Sequence, residues 1–425
     1  MKPPEGGLTV VAQEALARLS RCVSAGHEAE VYLHRGAERS VELRDGELSG
    51  IQESAEEGAG LRVLCDGRMG FASADRIDPG SIEELYGRAC AALDQLTPDP
   101  SRSLGEVRPQ APDSSLAGSL WDREVLSDPP TAFVPRLLEM DASIRSTDAR
   151  VRSVLRAGYS ESWGEVVVVS TLGVLVGERG ASASVGASVL SRQGEESQVG
   201  SSYQSSRRRA DLDWDRVARE SAGRSVALLG SRKARGGRKD VLFDAWSAGE
   251  FLDLIAGLLC ADSVQLGKSL LAGRKGVRVA SERASFLDDP RLPGGLGSCQ
   301  YDDEGCPTRT KEMVSGGVLR DFFYDATTAR KEGLLSNGSA TRGSYRGLPG
   351  PGPTNFYLAP GGDRADALLS ATRDGILAME VMGMHTADPI SGEFSVGISG
   401  VAIEGGRLAG PVKGAMGVVQ DIVPQ

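Results

Sequence analysis

Three histidines, His27, His34 and His385, and six cysteines, Cys22, Cys65, Cys90, Cys260, Cys299 and Cys306, are the side chains of this 425-residue chain best suited to hold a transition metal or act as nucleophiles. His27 and His34 are seven residues apart, which would align them on a helix. The strand pattern of Ala29–His34 breaks that geometry. The cysteines are scattered and include no C-x-x-C pair, so neither a zinc ribbon nor a disulfide framework is indicated, and buried, reduced thiols are expected. A histidine-based zinc site is therefore not expected in this chain, and its metal ligands are read as none.

Other side chains offer oxygen chemistry. Asp302, Asp303 and Glu304 run contiguously before Gly305 and could hold a hard cation. Calcium loops, however, place ligands at alternate positions over about a dozen residues. The expectation here is a turn with solvated carboxylates, and the same holds for Asp288-Asp289-Pro290. His385 stands in a loop, Met382–Ser395, that also carries Asp388, Ser391, Gly392, Glu393 and Phe394. A lone histidine can serve as a general base, but without an identified partner it reads as a hydrogen-bonded loop residue. The loop is dense in glycine and small polar groups, as backbone-binding loops often are. Gly267-Lys268-Ser269 looks like the end of a phosphate-binding loop, but Asp262 stands where that loop needs its first glycine. No G-x-S-x-G elbow is present.

The elements that must position these groups follow from periodicity. Residues 8–25 read as an amphipathic helix, and Ala29–His34, Arg39–Arg44, Leu61–Leu64 and Asp66–Ala72 as strands of an antiparallel meander turned at Asp-Gly. Residues 81–96 are helical in pattern, and 97–130, rich in Pro, Ser and Asp, read as a linker or long surface loop. A helix starts near Pro135, and the runs Val151–Tyr159, Glu165–Thr171, Leu172–Arg179 and Ala181–Leu190 follow as separate strands. Residues 212–229 form the next helix. The basic stretch Ser231–Lys239 and Arg207-Arg208-Arg209 read as solvated linkers. From Asp240 a strand, Val241–Phe243, and a helix, 246–260, precede Gly-punctuated strands. The predicted class is α+β: an N-terminal mixed α/β half with an antiparallel sheet over 1–232 (segments 1–105 and 106–232), and a β-rich C-terminal domain over 233–425.

Bulk composition narrows the function. Hydrophobic residues at 40% and charged residues at 25% are ordinary for a globular chain, and 55 glycines imply many turns. A formal charge of −10 opposes attachment to nucleic acid or anionic lipid. No stretch reaches the roughly 18 apolar residues of a membrane span, and the N-terminus lacks a signal-like apolar region, so a cytoplasmic protein is expected.

Several segments together resemble the TldD/PmbA family. The carriers are Ala29-Glu30-Val31-Tyr32, Ser40–Leu48, Asp66–Ser73, Gly267–Leu270, Leu287–Pro290, Tyr301–Arg309 and Ser391–Ser395. The resemblance implies a subunit of a zinc peptidase built from a TldD-type and a TldE (PmbA)-type chain. In the zinc-bearing type an H-E-x-x-x-H helix supplies two ligands and the base, and a cysteine supplies the third. Here the matching positions are Asp244, Ala245 and Gly249, and residues 379–385 hold no cysteine. The chain thus looks like the metal-free TldE type, with no catalytic residue of its own, no cofactor, and zinc expected in a TldD-like partner. The resemblance further implies that two subunits enclose a cavity in which an extended peptide adds to a sheet edge. Asp302, Asp303, Glu304, His385, Ser391, Gly392, Glu393 and Phe394 are the substrate-cleft candidates. The family's link to DNA gyrase would be indirect, given the acidic charge. Two alternatives stay open: a homodimer that binds a peptide or small molecule without cleaving it, and a replacement site around His385, Asp388 and Glu393.

Overall fold

In the first half, two Asp-Gly pairs fold the chain back on itself. Asp45 and Gly46 both take positive φ, as do Asp66 and Gly67, which is the backbone a tight hairpin turn requires. They join β1 (Glu28–Arg44) to β2 (Glu47–Cys65) and β2 to β3 (Arg68–Ala74). The computed structural model describes residues 7–106, 108 and 113–419.

α1 (Leu8–Cys22) precedes this meander, and α2 (Pro79–Leu93) follows it. Leu8, Ala12, Ala15 and Leu19 are fully buried, at the three- and four-residue spacing of one helix face. They pack with Val31, Leu33, Leu61, Val63 and Leu85 in one core. After α3 (Ser114–Ser119) and α4 (Val134–Thr147) come β4 (Val151–Ser170), β5 (Leu175–Gln193), β6 (Glu196–Ser206) and α5 (Trp214–Ala227). β1 pairs with β4, so a single antiparallel sheet of order β3-β2-β1-β4-β5-β6 draws on residues from both sides of position 105. α4 and α5 close a second core against β4 and β5 around Trp214, Tyr159 and Val185.

Three expectations change here. The paired runs read as separate strands are single strands: Ala29–His34 and Arg39–Arg44 lie within β1, Val151–Tyr159 and Glu165–Thr171 up to Ser170 within β4, and Leu172–Arg179 from Leu175 on and Ala181–Leu190 within β5, with residues 171–174 turning between β4 and β5. Polar and glycine residues interrupt the apolar alternation without interrupting the ladder. Gly36, for instance, faces Gly164, and a Cβ at Gly36 would lie 2.8 Å from the Trp163 carbonyl. Residues 97–130 are not simply a surface loop either. Leu104, Leu116, Leu120, Val125 and Leu126 are buried, and Asp113 caps α3; residues 107 and 109–112 lie outside the described residues. Arg207 and Arg209 are not solvated: Arg207 donates to the carbonyls of Ala181, Gly295 and Leu296, and Arg209 pairs with Asp128 at 2.7 Å and Glu124 at 3.3 Å.

The second half is assembled from short pieces. β7 (Arg232–Lys233) opens it and β8 (Asp240–Phe243) leads into α6 (Ala245–Leu258) and α7 (Ala261–Gln265). β9 (Phe286–Asp288), β10 (Lys311–Ser315), β11 (Val318–Leu319) and, after α8 (Ala326–Lys331) and the β12 (Ala340–Thr341)/β13 (Gly350–Pro351) ribbon, β14 (Phe356–Leu358) make a small sheet. β15 (Asp374–Met382), β16 (Phe394–Glu404) and β17 (Arg407–Val419) form a five-stranded sheet of order β7-β17-β16-β15-β8. The start of the basic stretch is therefore a sheet edge rather than a linker, since β7 pairs with β17. The molecule is α+β, with a curled antiparallel sheet in its first half and a β-rich second half.

Candidate functional site

β8 runs parallel to β15 and delivers the chain into α6, whose first residues are the positions matched to H-E-x-x-x-H. Asp244 is the N-cap: its Oδ1 accepts from the Ser247 N–H at 2.8 Å. Its Oδ2 is taken by the Arg224 guanidinium, reached from α5. Arg224 also donates to the carbonyl of Met379 on β15 and lies 5.9 Å from the centre of the Trp246 ring. Ala245 offers no donor atom. Gly249 has none either, and a Cβ there would meet open space. Glu380, half buried on β15, has its pKa raised by burial, against the opposing pull of Arg224. Zinc needs about three imidazole, thiolate or carboxylate ligands around an open position. The carboxylate that could begin such a set already holds a guanidinium, so these residues do not fit the metal. Among the described residues, no group of three or more His, Cys, Asp or Glu side chains is placed to share an ion.

The acidic segment is the reverse of a solvated turn. Asp302 and Glu304 are 6% and 0% exposed. Asp302 accepts the N–H groups of Glu304 (3.0 Å), Cys306 (2.8 Å) and Ala340 (3.1 Å). Burial and the nearby Glu304 charge push its pKa up to about 8. Asp303 accepts from the Arg342 N–H at 2.7 Å and from the Tyr32 hydroxyl at 3.3 Å; burial raises its pKa too. Glu304 accepts from Arg62 at 3.0 Å and from the Ala326 N–H at 2.7 Å, and burial brings its pKa to about 7. Arg62 also makes a two-pronged pair with Glu30, which receives Arg342 as well. This buried network clamps the first sheet to the second half. Asp288 is buried in the same way, paired with Lys311 at 3.0 Å and accepting from Thr354.

A cavity of about 490 Å³ opens beside the clamp. Its floor is the small-residue face of β4 and β5 around Ser162, Gly164, Gly180 and Ser182, and its roof is Cys299, Tyr301, Asp302 and Asp303 with Thr341, Arg342 and Thr354. Glu178 and Arg207 face it from the floor side. A Cβ at position 180 would lie 2.6 Å from Arg207 Nη1, so glycine there lets the guanidinium lie across the strand.

Asp302 and Asp303 thus reach this cavity, and Glu304 is sealed behind them. The structure does not bring the remaining cleft candidates to it. His385 is exposed on a single 3₁₀ turn, Met384–Thr386. Asp388 turns its carboxylate to the N–H groups of Ile390 (2.8 Å) and Ser391 (3.4 Å), closing a loop whose Ser391 and Glu393 are exposed. Gly392 is buried, and Phe394 packs on Phe251 in the core of the five-stranded sheet. Arg224 and Glu178 were not singled out from sequence, and Arg207 was read only as part of the basic run Arg207-Arg208-Arg209. Arg224 and Glu178 are single polar residues within a helix and a strand pattern, and the partners of all three are distant in the chain.

These features belong to a defined class: the chain is a member of the PmbA/TldD metallopeptidase family. Residues 29–93 match the PmbA/TldA metallopeptidase domain 1, 124–229 the central domain and 236–420 the C-terminal domain. It is 27% identical over 406 residues to a metalloprotease TldD homolog of Haemophilus influenzae, covering 91% of this chain and 81% of that protein. It is 24% identical over 387 residues to metalloprotease PmbA of Escherichia coli O157:H7, covering 90% and 82%. In fold it is similar to TldE from Thermococcus kodakarensis, with a TM-score of 0.85 at 20% identity, covering 96% of this chain and 91% of that one.

Proposed function

We propose that this chain is the metal-free subunit of a cytoplasmic peptidase, and that a TldD-like partner supplies the zinc and the catalytic base. The observation that carries the reading is Arg224. Where a zinc-bearing relative is expected to present its first histidine, this chain presents Asp244 already neutralised by a guanidinium, with Ala245 and Gly249 offering no donor beside it. The chain's contribution is then structural: it walls the chamber and holds an unfolded or leader-type peptide by its backbone, so selection among side chains is weak. Purified chain mixed with a TldD-like partner should form a heteromer that cleaves an unfolded peptide, and the partner alone should not. Equal cleavage by the partner alone, with no complex formed, would end this reading.

A further inference from the structure

Two opposite charges line the cavity without forming an ion pair with each other, Glu178 and Arg207, and Arg291 adds a second positive field at Glu178. Glu178 lines it, half-buried, and both its oxygens accept from the backbone N–H of Gln300, at 3.0 and 3.1 Å. Among the described residues no lysine or arginine forms an ion pair with it. Arg207 lines the same cavity, also half-buried, and its three nitrogens donate to the main-chain carbonyls of Gly295, Ala181 and Leu296. Those donations leave one N–H on each terminal nitrogen of the guanidinium. The two groups feel each other's field but do not pair.

A half-buried charge held short of an ion pair is less stable than a paired one, and pairing the two or replacing both by apolar residues would be the stabilising solution. The other acids around the cavity, and Arg342, are already committed. Asp302 is held by three backbone N–H groups, Asp303 and Arg342 hold each other's segments, and Arg179 is exposed over the Trp121 ring at 4.7 Å. What remains is one carboxylate and the Arg207 guanidinium on a floor of glycine and serine, with the exposed Arg179 at the rim, in a space within the range of small-ligand sites.

We propose that this cavity binds a small zwitterion, a free amino acid or a short peptide with both ends unblocked, with its ammonium at Glu178 and its carboxylate at Arg207. The glycine and serine floor leaves room for side chains without selecting among them, so recognition is of the two ends. This goes beyond the subunit reading and needs neither partner nor metal.

Calorimetric titration of the full chain alone with trialanine, N-acetyl-trialanine and trialaninamide tests it. Trialanine should bind at least tenfold more tightly than either blocked form. Glu178→Gln should weaken trialanine to the level of the acetylated peptide while keeping the preference over the amide. Arg207 also ties the Gly295–Leu296 loop, so Arg207→Lys is paired with a thermal melt. A folded variant should lose the preference for a free carboxylate. A second readout is slowed amide hydrogen exchange over residues 297–303 in the wild-type chain on adding trialanine. Equal binding of all three peptides, no binding at millimolar concentration, or an unchanged profile in Glu178→Gln would each overturn the proposal. A chain that binds trialanine but supports no cleavage with a TldD-like partner would keep this inference and discard the subunit reading; the opposite result would do the reverse.

Discussion

Glu30 lies on β1 with 1% of its surface exposed and accepts from two arginines, Arg62 on the neighbouring strand and Arg342, which is 312 residues further along the chain. Burial works to raise its pKa, but Arg62 and Arg342 together carry it below the ordinary 4.5. Glu30→Gln would leave two buried guanidinium groups short of a counter-charge. It should cost about 3–5 kcal/mol, read as a lower denaturant midpoint. The pH dependence has two arms. A lowered folded pKa gives stability that is present above the unfolded value and lost as pH falls through the folded one, so Glu30 contributes an acid-side loss below about pH 4.5. Asp302 and Glu304 have raised folded values, about 8 and about 7, so their contribution is present at low pH and lost as pH rises through those values. The melting temperature should therefore fall as pH rises from about 4 to about 8 and level off above that. Asp302→Asn should make that arm shallower, leaving the share of Glu304, and Glu30→Gln should remove the acid-side loss. A melting-temperature profile that is flat from about pH 5 to 8.5 in the wild-type chain would contradict the assignment of buried, proton-holding acids.

Among the elements, the helices were legible in the sequence because each buries one stripe: the reading of 8–25 matches Leu8–Cys22, and 212–229 contains Trp214–Ala227. The Asp-Gly turns were legible because few other residues accept two consecutive positive φ values. Strand lengths were not, since β4 and β5 carry Glu161, Ser162, Ser182 and Ser184 in mid-strand, and buried ion pairs or serine pairs there replace the apolar alternation. The acidic segment misled for the same reason: the partners of Glu304 include Arg62, 242 residues away, and no local spacing announces them. β2 offers a test of how closely the halves fit. A Cβ on Gly60 would lie 2.3 Å from the Tyr345 carbonyl, a backbone atom that cannot rotate away, whereas a Cβ on Gly50 of the same strand would meet nothing. Gly60→Ala should destabilise by about 1–3 kcal/mol through overpacking. Gly50→Ala should be neutral or stabilise by up to about 1 kcal/mol. Chemical denaturation of the two single variants checks the contrast, and equal effects would mean the sheet and the Tyr345 segment are not held together as described.

At the scale of the whole molecule, the proposed division of labour makes a prediction about metal that the chain itself can answer. A guanidinium and a divalent cation repel each other, and Arg224 is fixed at three points: Asp244, the Met379 carbonyl and the Trp246 ring. Supplying ligands alone should therefore not create a site. The variant Asp244→His with Gly249→His, keeping Arg224, should take up no stoichiometric zinc after dialysis. Adding Arg224→Met should raise zinc affinity at least tenfold, to a level still modest because only two imidazoles are present where a stable site needs about three ligands. Chelation should leave the melting temperature of the unmodified chain unchanged while abolishing cleavage by its complex with a TldD-like partner, and added zinc should restore that cleavage. Metal analysis of the three forms decides the matter. Zinc bound tightly by the double variant with Arg224 still in place would show that the arginine does not hold the metal's position, and the absence of a site here would then need a different cause.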